Sequence, residues 1–288
     1  MHPAAARWIG ALIRMTSGHP AMTQILDVIE RLQDNPFRTN FLLLGEPGTG
    51  KEGLARALHH LTAPAAPLVR FDVVGFPDEQ SLAALWGDGG RPGVAEEADG
   101  GTILIEETAG LGPRTQAALL RLLKSGKYER AGRIADRRLR VHAIATSDRD
   151  LEEEVRAGRF RHDLFYALAR VALWLPPLRD RTEDIGPAAV WMGNRILRGA
   201  GQSNELMSAE EFARAGAEER AAAIELHPTA LRELERHRWS GNFRELEAVL
   251  ERALMLYRDG HSIGATEIQA AIRGAPGTLP PTPPTGLA

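Results

Sequence analysis

Two adjacent glutamates, Glu106 and Glu107, close the apolar run "TILI" at 102–105. A buried strand that ends on paired carboxylates can set one toward a metal and the other toward a water. A second chemical feature lies upstream, where "FLLL" (41–44) runs directly into "GEPGTGKEG". In the loop Gly45, Glu46, Pro47, Gly48, Thr49, Gly50, the glycines let backbone N–H groups curl around phosphates without Cβ clashes. The helix opened by Lys51, Glu52 and Gly53 adds its dipole, and Lys51 reaches the outer phosphates. The residue after the lysine is ordinarily Ser or Thr, which holds Mg²⁺; here it is Glu52, so the metal would depend on phosphate oxygens, water and the Glu106–Glu107 strand end.

These groups need a scaffold that brings strand ends together, and the pattern along the chain supplies one. "FLLL", "LVRFDVV" (68–74), "TILI", "VHAIAT" (141–146) and "RVALWL" (170–175) read as five short buried strands separated by helical segments. That alternation argues α/β: a largely parallel sheet covered on both faces. After "PPLRDR" the strand signal stops, and residues 181–274 read as an all-helical domain that includes an Ala/Glu-rich helix around 208–225. The expected organisation is an amphipathic helix over 1–17, the α/β core over 18–180, the helical domain over 181–274 and a Pro-rich tail over 275–288.

The chain has 288 residues, 43% hydrophobic and 25% charged, with a formal net charge of −3. This near-neutral balance gives no electrostatic argument for nucleic acid or an anionic membrane. With no cysteine, disulfide and thiolate chemistry are excluded; a reducing, cytoplasmic setting is expected. No apolar run approaches the ~18 residues of a spanning helix. The basic stretch 127–142 is interrupted by acids and reads as a solvated hairpin. His59-His60 reads as a helix surface, since no ligand pattern joins it.

Taken in order, "GHPAMTQILDVIERL", "GEPGTGKE", "ADGGTILIEE", "ATSDRDLEEEVRAGRFRHDLFY", "LPPLRDRTEDI" and "WSGNFRELEAVLERALML" resemble the ATPase module of the sigma-54-dependent transcriptional activators, a branch of AAA+. The likeness spans about Gly18 to Ile272, and in this branch a glutamate after the loop lysine is usual. It implies a P-loop AAA+ core with a five-stranded parallel sheet and a C-terminal all-helical lid. It also implies ATP with Mg²⁺ as cofactors, and a homo-oligomeric ring, commonly a hexamer, whose sites are completed by the neighbouring subunit. Carried over, residues 45–51 cradle phosphate, Glu107 is the catalytic glutamate and Glu106 is its metal-side neighbour. Arg244 senses the γ-phosphate from the lid, and Arg161 is one of two arginines offered in trans.

The chain departs from that pattern at several places. The family's long loop tipped with GAFTGA, which grips the sigma factor, is represented by only "LWGDGGRPGVAEEADGG" (85–101), so sigma-54 is not the expected partner. Glu106 stands for an aspartate, Asp72 for the asparagine that restrains the catalytic glutamate, Asp148 for the sensor asparagine, and Ala167 for the second finger arginine. Loss of a finger can cost ~10³-fold in rate. A receiver domain before the module and a helix-turn-helix after it are not evident, so no dedicated DNA reader is expected. Two readings follow. One is a ring-forming, weak ATPase that acts on an unknown protein target, possibly in transcription. The other is an ATP-dependent scaffold or switch with little turnover, or a competitor of intact family members through mixed rings.

Overall fold

The computed structural model describes residues 18–87, 90–130, 133–256 and 262–274. The expected 1–17 helix and 275–288 tail lie outside these residues. The chain divides between Pro176 and Pro177 into two compact units, with Gly18 and His19 grouped with the second. The break falls four residues before the 180/181 limit read from sequence.

In the first unit, α1 (Pro20–Asp34) buries Met22, Ile25, Ile29 and Leu32, which recur at helical spacing along one face. It is followed by β1 (Phe41–Leu44), α2 (Lys51–Thr62), β2 (Leu68–Asp72), α3 (Asp78–Trp86) and the single turn α4 (Val94–Glu97). Next come β3 (Thr102–Glu106), α5 (Pro113–Ser125), the small β4 (Glu129–Arg130) and β5 (Arg133–Ile134), and β6 (His142–Ser147). Two short helices, α6 (Leu151–Arg156) and α7 (His162–Leu168), precede β7 (Val171–Trp174).

Five of these strands form one parallel sheet in the order β2-β3-β6-β1-β7. Its central strands are unbroken apolar runs because helices cover both faces. Phe41, Leu42 and Leu43 are buried, as are Ile103, Leu104 and Ile105 and Ala143, Ile144 and Ala145. Leu42, Ile103 and Ile105 share a core with Leu85 of α3, Leu119 of α5 and Leu164 of α7, while α1 and α2 pack on β7, β1 and β6. Full burial of each such Leu or Ile contributes roughly 1.5–3 kcal/mol.

Parallel pairing sends every strand's C-terminal end to one edge. Leu44 pairs with Ser147 and Trp174, and Asp72 pairs with Glu106. The loops that follow these residues therefore converge there. The basic 127–142 stretch does contain the expected hairpin, with β4 antiparallel to β5. His59 differs from the surface position expected of it. It turns inward, buried, with Nδ1 3.0 Å from Thr102 Oγ1 at the opposite end of the sheet.

The second unit contains α8 (Ile185–Gly199), β8 (Glu205–Ser208), α9 (Ala209–Arg214), α10 (Ala217–Ala221) and β9 (Ala223–Leu226). After these come α11 (Pro228–Arg236), α12 (Asn242–Leu256), β10 (Ser262–Ile263) and α13 (Ala265–Arg273). The helical lid is present, packed around Trp239, Leu246, Val249 and Leu250. It is not built of helices alone, because β8, β9 and β10 form a small parallel sheet.

The Ala/Glu-rich stretch is likewise not one helix. A capping box at Ser208 starts α9, which ends at Arg214; α10 begins after Gly216, and residues 223–226 turn into a strand. Ala223, Ile224 and Leu226 are buried, so tertiary burial overrides the helix preference of alanine. Arg181 is buried beside Asp184 (3.7 Å) and lies over the Phe243 ring at 4.8 Å. Burial lowers its pKa to about 10.

Candidate functional site: a phosphate loop facing an acidic strand end

The loop between β1 and α2 carries positive φ at Gly45 (152°), Gly48 (79°) and Gly50 (102°). At Gly45 the requirement is also steric, since a Cβ there would meet the Leu175 carbonyl oxygen at 2.6 Å. Gly50, left-handed, caps α2 and directs its first turn into the loop. Lys51 is buried, and its ammonium donates to the Gly45 carbonyl (2.6 Å) and the Glu46 carbonyl (3.1 Å). Thr49 Oγ1 donates to Glu46 O at 2.8 Å. The result is a backbone cradle with one cation at its mouth, which fits an anionic phosphate chain.

Glu107 stands immediately past β3 with φ 51° and ψ 55°. This left-handed conformation costs a non-glycine residue on the order of 1–2 kcal/mol. It is held from β6, as the Glu107 N–H donates to Thr146 Oγ1 (3.2 Å) and the Asp148 N–H donates to Glu107 Oε2 (2.9 Å). Glu107 Oε1 lies 3.8 Å from Lys51 Nζ. Burial, and then the Asp148 carboxyl, push the Glu107 carboxyl above its ordinary range, against the Asp148 N–H and the Lys51 charge. The like charge that Glu107 meets is therefore that of Asp148. Asp72 instead accepts from the Val74 N–H at 3.0 Å, in a turn of its own.

Glu106 has a partner that the sequence reading did not consider. Arg70 on β2 clamps its carboxylate, with Nε 2.9 Å from Oε1 and Nη2 donating to Oε2 at 3.0 Å. Glu52 lies on the exposed face of α2, accepting from Arg56 Nη2 at 2.8 Å. Among the described residues, no group of three or more His, Cys, Asp or Glu is arranged to hold a metal ion. The donors of the loop fit a phosphate chain.

The remaining carried-over residues are set on other elements. Arg161 caps α7 and is exposed, its guanidinium spanning Asp163 (Nε to Oδ1 3.0 Å, Nη2 to Oδ2 2.9 Å). Its backbone is fixed by Gln116, a buried residue of α5 that the sequence reading also missed. Gln116 accepts from the Arg161 N–H at 2.8 Å and donates to Leu111 O (2.8 Å) and Arg159 O (2.9 Å). Ala167 is buried on α7 beside the exposed Tyr166. Arg244 is an exposed residue in the first turn of α12, in the second unit. In the 85–101 segment, Gly87 and Pro92 form an antiparallel bridge. A Cβ on Gly93 would meet the Gly87 nitrogen at 2.3 Å, so the base of this loop is closed tightly.

The sheet order, the glycine cradle between β1 and α2, and the acidic end of β3 define a P-loop module of the AAA+ type. Comparison with known families narrows this. The Sigma-54 interaction domain matches residues 15–174, and the AAA+ ATPase lid domain matches residues 206–282. The chain belongs to the Sigma-54 interaction domain family. It is 37% identical over 257 residues to the Nif-specific regulatory protein of Azotobacter vinelandii, covering 85% of this chain and 45% of that protein. It is 36% identical over 251 residues to the response regulator protein FleR of Pseudomonas aeruginosa, covering 84% and 49%. The crystal structure of NtrX from Brucella abortus in complex with ATP is similar at 29% identity and a TM-score of 0.74, covering 94% of this chain and 57% of that one. The chain thus spans about half the length of these relatives.

Proposed function

We propose that this chain binds ATP on the 45–51 loop and is a slow, ring-forming ATPase that regulates a cytoplasmic protein partner other than sigma-54. The observation that carries the reading is the cradle itself, three positive-φ glycines closed by the Lys51 ammonium, with Glu107 3.8 Å from that ammonium. The related NtrX structure with ATP supports the choice of nucleotide. In this reading residues 45–53 and Lys51 bind the phosphates, and magnesium arrives with the nucleotide, held by phosphate oxygens and water. Glu107 orients the attacking water. Asp148 positions Glu107 through its N–H, while Arg161 of a neighbouring copy and Arg244 of the lid answer the charge on the transferred phosphoryl group.

Slow turnover is favoured by the shell around Glu107. Its carboxyl is pushed up by burial and by Asp148, and the second finger position is Ala167. A partner other than sigma-54 is favoured by the 85–101 segment. Only four residues separate the bridged Gly87 and Pro92.

The same Glu107–Asp148 opposition favours a second reading, in which ATP is a switch ligand with almost no turnover. Steady-state ATPase measured across protein concentration, beside Glu107→Gln and Lys51→Ala, separates the two. Turnover that rises with concentration and falls at least tenfold in Glu107→Gln supports the ATPase. Wild type that binds ATP but is no faster than Glu107→Gln leaves the switch. Failure of wild type to bind any nucleotide sinks both.

A further inference from the structure

Glu106, one of the two carboxylates to which a nucleotide-borne metal would turn, and Glu52, which stands where the usual hydroxyl ligand would be, are both held by arginines. Asp72 of β2 pairs with Glu106 of β3. Arg70 lies two residues before Asp72 on the same strand face, within reach of Glu106 along the sheet edge. Its guanidinium meets the carboxylate through both Nε and Nη2, at 2.9 and 3.0 Å. Arg70 Nη1 is also 4.0 Å from Glu52 Oε1, and that oxygen is 2.8 Å from Arg56 Nη2. Glu106 and Glu52 are thus tied into one strip of alternating charge running from β3 across β2 to α2.

Competition between the arginine and a metal can be judged from the kind of contact each makes. Magnesium dehydrates reluctantly and keeps several waters, so a carboxylate standing behind a phosphate-bound ion contacts it through water. Arg70 instead gives Glu106 one direct, charge-assisted hydrogen bond, from Nη2 to Oε2, and a close ion contact from Nε to Oε1 at 2.9 Å. The pair is not deeply buried, as the side chains are 50% and 19% exposed. Its strength therefore comes from the direct approach of the two charges, at 2.9 and 3.0 Å, rather than from a dry environment. Lysine would not reproduce it, because an ammonium has no planar fork.

We infer that nucleotide binding by this chain is nearly independent of magnesium, with Arg70 as the fixed cation on the edge where a hydrated ion would otherwise sit. This rests on the proposed nucleotide site and specifies the ligand it takes, a nucleoside diphosphate or triphosphate with or without its metal. Removing Arg70 frees the Glu106 carboxylate beside the phosphates, and magnesium then becomes necessary to offset it.

The test is calorimetric titration of ADP into the full chain, in excess magnesium and in excess EDTA, for wild type, Arg70→Gln and Arg70→Lys. ADP avoids turnover. Arg70 is exposed, so its replacement leaves the core intact, and a thermal melt of each variant checks this. Expected are wild-type affinities within about threefold of each other in the two conditions, and a loss of about tenfold or more in EDTA for Arg70→Gln, with Arg70→Lys between them. A wild type that loses tenfold in EDTA overturns the inference. So does an Arg70→Gln variant as indifferent to EDTA as wild type, since the guanidinium would then not be the reason. No ADP binding in either condition overturns the nucleotide reading itself, and this inference with it.

Discussion

The phosphate loop and the acidic strand end lie on the same sheet edge, yet they are built from different material. The loop is made of backbone. Its shape depends on three glycine torsions and on two carbonyls that receive one ammonium. The strand end is made of side chains, where Glu106, Glu107 and Asp148 sit in a balance of like and unlike charges. A cradle of this kind is either kept or lost, because a Cβ at Gly45 collides with a carbonyl oxygen. A charge cluster can change one member at a time while the strand beneath it stays in register. In the proposed nucleotide site, this difference lets the phosphate cradle persist while the side chains around Glu107 change.

The largest expected effect is at Lys51. Lys51→Ala removes the cation from the mouth of the cradle, and ADP affinity is expected to fall about 30- to 1000-fold, as for other truncations of a buried charge partner. The fold should survive. If affinity falls less than about threefold, the backbone N–H groups carry binding without the lysine, and the ammonium is not the cation the cradle depends on.

The scaffold beneath the shell is the next place to expect a large effect. Gln116 ties Leu111, just past Glu107, to the segment that presents Arg161, using three hydrogen bonds and almost no exposed surface. Gln116→Ala leaves two carbonyls and one N–H without this partner, at a cost of about 1–3 kcal/mol for a buried unsatisfied group. Urea denaturation is expected to show a loss of about 2–4 kcal/mol, more than any single change at Glu106, Asp148 or Arg161. A loss under about 0.5 kcal/mol would mean the framework is as soft as the charges it carries.

Much of this edge is legible in the sequence, and the rest is hidden for definite reasons. The five strands show because parallel strands buried on both faces are apolar without a break, as in "FLLL" and "TILI". The loop shows because its glycines and lysine are contiguous. Arg70 and Glu106 do not show as partners, because they meet across two strands whose register no local pattern announces. Gln116 reads as one more polar residue on an amphipathic helix until its three backbone partners are known. The lid's small sheet is missed because β8 and β9 are four residues each and are flanked by helix-favouring alanine and glutamate. His59 is misread for a similar reason: a histidine pair near a helix end gives no sign that one ring turns inward to Thr102.

That inward turn puts a pH-sensitive contact at the end of the sheet away from the loop. Burial lowers the pKa of His59 and, with Arg38 adding to it, that of His142. For a histidine whose folded pKa is depressed, the unfolded chain takes up the proton first. Stability is therefore full above the unfolded value of about 6.5 and falls as pH drops below it. Urea midpoints measured from pH 7.5 to 5 should decline across that window, and less steeply in His59→Gln. A flat profile would place both rings in contact with water.

The smallest effect separates the two materials most directly. Glu107 has a folded pKa raised above its ordinary 4.5 by burial and by Asp148. The folded state therefore prefers its protonated form. The favourable contribution is complete below about pH 4.5 and is lost as pH rises through the folded value, so at pH 7 the ionised carboxylate costs stability. Glu107→Gln keeps the shape and removes the charge. It is expected to melt slightly above wild type at pH 7, on the order of 1–2 °C for a chain of this size, with the gap closing toward pH 4.5. Asp148→Asn should reproduce part of the gain by removing the like charge while keeping the backbone N–H that holds Glu107 Oε2. Lys51 opposes both effects at 3.8 Å. A wild type that melts above Glu107→Gln at neutral pH would mean the ammonium outweighs burial and Asp148. The strand end would then be a stabilised ion pair, and the loop and the shell would share one electrostatic unit instead of differing in kind.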